Sequence, residues 1–131
     1  MPQYFTLEEA TALLPTIRPI LEQIITLRAR LERTERDLVS LHWKARTNGH
    51  TDYSGSFGEG QETRSALMAE INAELVKIHE LGVELKDPAL GLIDFPSLRD
   101  GRVVYLCWRL GETAIEYWHE TDTGFAGRQP L

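Results

Sequence analysis

A chain of 131 residues, 42% hydrophobic and 26% charged, has the length and composition of one globular domain. Twenty Asp and Glu against fourteen Lys and Arg give a net charge of -6, which opposes nonspecific attraction to phosphate backbones or anionic lipid and leaves only a local basic patch open. Cys107 is the single cysteine, so an intrachain disulfide and a zinc site built of several thiolates from one chain are excluded, and a reducing compartment is the simpler setting. The opening MPQYFTLEEA lacks a basic stretch followed by an apolar one, and no run of ~18 uncharged apolar residues occurs, so a cytoplasmic protein without a membrane segment is expected.

In chain order, Thr6 and Glu9 have the spacing of a capping box, which predicts a helix opening near Leu7. Leu13, Ile17, Ile20, Ile24, Leu27, Leu31, Thr34, Leu38 and Leu41 then recur at alternating spacings of four and three, a heptad seam that requires a partner helix. Pro15 and Pro19 predict a kink, or a short helix ending near Leu14 and a new one starting at Pro15. Residues 48–60, rich in glycine and small polar residues, read as a loop in which Gly55, Gly58 and Gly60 supply flexibility and match no phosphate-binding motif. A second helix is predicted over Glu62 to Leu85, with Leu67, Met68, Ile71, Leu75, Ile78, Leu81 and Leu85 as its stripe. The two stripes pair as an antiparallel hairpin, or part of the longer first seam is left for a second subunit. After Pro88 the period changes: 91–95 and 102–110 read as two strands joined through the turn pair Asp100-Gly101, and 114–120 as a third strand or a helical turn. The tail from Thr123 is loop-like, with Phe125 and Arg128 able to fold it back over the sheet.

The segments FTLEEATALLP, LKDPALGLIDFPS, GRVVYLCWRLGE, EYWHE and GFAGRQPL together resemble an uncharacterised prokaryotic family, domain of unknown function 2203. The resemblance covers almost the whole chain outside 48–60. It implies a prokaryotic cytosolic protein and supplies no activity, substrate or cofactor.

Candidate chemistry therefore rests on individual residues. Asp94, inside the apolar GLIDFP, must find a donor: either Arg102 or Arg109 pairs with it structurally, or it serves as a metal ligand or general base. His119, with Glu116, Glu120 and Asp122 nearby, is its expected companion in a divalent-metal site or else a satisfied structural histidine. On a helix Glu116 and His119 would share a face, whereas on a strand they point oppositely and Tyr117 joins His119. His42 and His79 are expected on solvated helix flanks and His50 in the loop. Trp108, Trp118, Tyr105 and Tyr117 read as core in preference to a base-stacking platform, and Cys107 as a buried, inert thiol. Arg102, Arg109, Glu112 and Arg128 form an anion pocket or a salt-bridge cluster.

The fold expected is α+β, a long antiparallel helical hairpin packed on a small antiparallel sheet of two or three strands in a single domain. The first function reading is a non-enzymatic module forming a homodimer through the long helix. The alternative is a metal-binding protein, with a metal-dependent hydrolase as its catalytic form, at Asp94 and His119. The cofactor expected is none or a divalent metal ion, and the sequence points to no particular small-molecule ligand.

Overall fold

The computed structural model describes residues 3–47 and 52–131, so the part of the predicted loop that includes His50 lies outside the described residues. Two helices and a five-stranded antiparallel sheet make an α+β fold: α1 (Leu7–Thr47), α2 (Ser54–Glu80), β1 (Glu84–Asp87), β2 (Leu92–Arg99), β3 (Arg102–Arg109), β4 (Tyr117–Glu120), a short 3-10 turn (Phe125–Gly127) and β5 (Gln129–Pro130), with strands adjacent in chain order. The sheet thus has five strands, where two or three are expected from the sequence. The chain divides into two compact units, residues 26–73 and the remainder.

The capping box at the start of α1 forms as its spacing requires. The Thr6 hydroxyl accepts from the Glu9 amide at 3.1 Å while the Glu9 carboxylate accepts from the Thr6 amide at 2.9 Å. Neither proline divides the helix, which runs continuously through Pro15 and Pro19. Both are exposed and lie four residues apart, and Thr11 and Pro15, whose carbonyls lose their partners, are also exposed. Water can therefore take the freed acceptors.

In the unit of residues 26–73, the α1 and α2 segments run antiparallel: a Cβ placed on Gly60 would lie 2.6 Å from Leu38 Cδ2, and one turn further on the Arg64 guanidinium is 3.6 Å from the Glu35 carboxylate. Leu27, Leu38 and Leu67 are buried there. The predicted loop is overturned from residue 54 onward. Asp52 accepts from the Ser54 amide at 2.9 Å and the Phe57 amide bonds to Tyr53, so Gly55, Gly58 and Gly60 are helical.

At its other end α2 stops at Glu80, five residues before the predicted end, because Gly82 takes a left-handed conformation (φ +83). Leu81 and Leu85 continue the spacing of the stripe, but Leu85 already belongs to β1. In the unit holding both chain ends, Ile17, Leu21 and Ile24 of α1 and Ile78 of α2 pack on Ile93, Phe95, Val104, Leu106, Trp108 and Trp118 from one face of the sheet. Phe5 meets Phe95 edge-on with centroids 5.5 Å apart, and its amide donates to the Pro96 carbonyl at 2.7 Å. That bond shows the Pro96 backbone facing away from β3, so a residue without an N–H sits inside a strand and costs no ladder bond.

Asp100 and Gly101, with φ of 52° and 76°, make the two-residue turn between β2 and β3. Two successive positive φ values are those of the hairpin turn whose twist matches the flanking strands. Replacing Gly101 by Ala should cost about 1 to 2 kcal/mol for the left-handed conformation. Gly58→Ala should instead stabilise by about 0.5 to 1 kcal/mol, because Gly58 lies inside α2 with nothing among the described residues within 4 Å of an added Cβ. Urea unfolding of the two variants checks both signs, and a destabilised Gly58→Ala protein would contradict a helix at this position.

Candidate metal centre

Strand alternation sends Ile93, Phe95, Val104, Leu106, Trp108 and Trp118 toward the helices and leaves the opposite face of the sheet to Asp94, Tyr105, Cys107, Tyr117 and His119. The register pairs Asp94 with Cys107 and Cys107 with Tyr117, while His119 pairs with Tyr105 one step along. Three potential metal-binding atoms consequently converge: a carboxylate oxygen of Asp94, the Cys107 sulfur and a ring nitrogen of His119 lie within 4.8 Å of one another, and all three residues are buried.

Their hydrogen bonds fix the imidazole. His119 Nδ1 is 2.7 Å from the Glu120 carbonyl oxygen, which can only accept, so Nδ1 carries a proton and donates it. His119 Nε2 faces Asp94 Oδ1 at 2.9 Å, a contact that needs one further proton between the two atoms. Burial raises the Asp94 carboxyl pKa above its ordinary value, opposed by the hydrogen bond from His119. Burial, aided by the charge of Asp94, pushes the Cys107 thiol up to about 12, and the Arg128 guanidinium offsets part of that rise. Without an ion this sulfur is a protonated thiol and a poor nucleophile.

Around the cluster, the Tyr105 ring lies 5.4 Å from the His119 ring, and Lys86 Nζ, paired with Glu84 at 2.8 Å, sits 4.9 Å above Tyr105. Arg128 closes the Cys107 side. Its Nη2 reaches both Glu112 oxygens, at 2.7 and 3.0 Å, and the Cys107 carbonyl at 3.5 Å, while its guanidinium covers the Tyr117 and Phe125 rings at 4.1 and 4.7 Å.

The sequence expectation that Asp94 and His119 meet is met geometrically, but the arginine partners are not those expected for Asp94. Arg102 pairs with Glu120 (Nε to Oε2, 3.2 Å), Arg128 with Glu112, and the exposed Arg109 has no ion-pair partner among the described residues. Of the four residues read as one cluster, Arg128 and Glu112 form an ion pair, Arg102 pairs instead with Glu120, and the Arg109 side chain stands at the surface. Glu116 and Asp122 are exposed and outside the cluster, as are His42 and His79 on their helices. Trp108 and Trp118 are core, whereas Tyr105 and Tyr117 stand half-buried on the other face. Cys107 is buried as expected, yet sequence reasoning did not place it beside Asp94. The signal was available: a two-residue turn at 100 and 101 sets 94 opposite 107.

From the ordinary carboxylate value of 3.8 up to the raised native value, the folded chain holds more protons at Asp94 than the unfolded chain does. This group's contribution to stability therefore falls as pH rises through that window. Asp94→Asn should flatten that part of the stability–pH curve relative to the parent protein. Urea midpoints measured upward from pH 3.8 test this, and parallel curves would mean that the carboxyl does not titrate as its burial requires.

No curated protein and no solved structure matches this chain. A family model described as an uncharacterized conserved protein, DUF2203, matches residues 3–131. With all but the first two residues matched, the chain belongs to that family.

Proposed function

We propose that the protein binds a single divalent transition-metal ion, of the zinc type, through Asp94, Cys107 and His119. The carrying observation is the convergence of one oxygen, one sulfur and one nitrogen within 4.8 Å. Thiolate and carboxylate supply two negative charges to a dication, and a mixed sulfur, nitrogen and oxygen set suits zinc better than magnesium or calcium. The His119 ring is oriented for the task, since its Nδ1–H is committed to a backbone carbonyl and Nε2 points at the other two ligands. Bond lengths of ~2.0 to 2.3 Å in a tetrahedron set ligand atoms roughly 3.3 to 3.8 Å apart. Asp94 and His119 need to part by about half an ångström from their 2.9 Å contact. Three protein ligands leave a fourth position for water, the arrangement of hydrolytic zinc sites, so a metal-dependent hydrolase is the catalytic form of this reading. A reducing, cytoplasmic setting keeps the one thiol available as a ligand.

Cobalt(II) titration tests the reading directly. One equivalent should bind and give a thiolate charge-transfer band in the near ultraviolet. Cys107→Ser should abolish that band, and His119→Ala should weaken binding beyond the ~10- to 100-fold typical of outer-shell changes. A parent protein that retains no cobalt or zinc after dialysis would end the proposal.

A second reading, self-association, draws on α1. Val39 and Trp43, spaced i and i+4, are 58% and 57% exposed. The heptad seam supports this reading less, because Ile17, Ile24, Leu27 and Leu38 are already buried within the single chain. Sedimentation should show a dimer that Trp43→Ala dissociates, and a monomer over the whole concentration range would leave the metal reading alone.

A further inference from the structure

We infer that the C-terminal segment 124–131 is a strap that opens locally, latched by Arg128 on Glu112, and that its opening admits ions and reagents to the Cys107 side of the buried cluster. Its purpose rests on the metal reading, which otherwise faces a difficulty: Asp94, Cys107 and His119 are 2%, 0% and 2% exposed. An ion cannot reach such ligands unless something moves. The helix-facing side of the sheet is packed with large apolar residues, whose separation would be global unfolding. The opposite side is covered more lightly.

The strap is held by few contacts. Gln129 and Pro130 add two residues of strand to β4, the Leu131 amide donates to Glu116 at 3.0 Å, and residues 121–126 and 129–131 are exposed. Among these residues Arg128 alone reaches inward, gripping Glu112 and the Cys107 carbonyl between two aromatic rings. Its Nε is buried without a hydrogen-bond partner among the described residues, so the closed position leaves one polar group unsatisfied. Such a penalty makes the closed strap easier to open. A two-residue strand adds little to oppose that.

Labelling of Cys107 by iodoacetamide reads strap opening without any metal. In the parent protein the labelling rate should depend weakly on low urea concentrations, as expected for local opening; a dependence as steep as that of global unfolding would overturn the inference. Arg128→Met and Glu112→Gln should each accelerate labelling at least tenfold while the urea midpoint stays near the parent value. The two variants remove charges of opposite sign, whose direct effects on a thiol are opposite, so acceleration by both reports access. Unchanged or slower rates in folded variants would overturn the latch. Should a variant fail to fold, the urea dependence of the parent protein decides the question by itself. Strap opening without cobalt binding would remove the metal reading and keep the strap. Cobalt binding with labelling only on global unfolding would do the reverse.

Discussion

The two-residue turn between β2 and β3 determines which side chains of this sheet can meet. With Asp100 and Gly101 both at positive φ, Arg99 faces Arg102 and every later pair follows, through Ile93 with Trp108 to Asp94 with Cys107. A slip of one residue would invert every side chain on the strand, sending Asp94 into the helices and Ile93 and Phe95 to the other face. The apolar face resists that slip. Ile93, Phe95 and Trp108 are fully buried against α1 and α2, and Phe5 closes on Phe95. The core therefore maintains the register on one face, and that register brings the three polar groups together on the other.

Stability alone gives no reason to keep those groups. A buried acid–base pair is often replaced by apolar residues of similar volume with no loss, because desolvating the charges offsets their attraction. Asp94 shows this directly, its carboxyl held above the ordinary value by burial. The Cys107 thiol beside it is raised further, to about 12. A dication would reverse both effects: it would favour carboxylate and thiolate, and it would take the place of the proton between His119 and Asp94. This difference between an uncomfortable protonated cluster and a charge-balanced one is the energetic support for a metal there.

Much of the architecture was legible in the sequence, for reasons that also explain what was not. The capping box, the first apolar period and the Asp100-Gly101 turn are local signals, and each yields the element it predicts. β1 was hidden because Leu81 and Leu85 carry the helical spacing across Gly82, so period alone could not detect the change to strand. The glycines at 55, 58 and 60 suggest a loop, but Gly60 lies where Leu38 needs close approach, a tertiary requirement with no local signature. At the site, the pairing of Asp94 with Cys107 follows from the turn by counting. The placement of His119 beside Tyr105 does not, because Thr113 to Glu116 lie outside the strands and the start of β4 cannot be counted from Gly111. Arg102 was mispaired for the same reason: Glu120, on the strand whose start could not be read, takes it, whereas Arg128 pairs with Glu112 as the salt-bridge reading expects.

These two ion pairs lie at the edges of the cluster and set how firmly it is held. Glu120 has two roles, its carbonyl accepting from His119 and its carboxylate from Arg102 on the neighbouring strand. Glu112 likewise accepts from Arg128 and from the Arg109 amide, joining the strap to the end of β3. The Arg102 side chain is 59% exposed, and exposed pairs of this kind contribute only about 0 to 1 kcal/mol. Arg128 is better enclosed, but its burial leaves Nε unsatisfied. The outer face is thus tied by weak or compromised bonds while the helix-facing side carries the apolar packing. Rearrangement around Asp94, Cys107 and His119 can then proceed on one face of the sheet without disturbing the register that keeps these residues together.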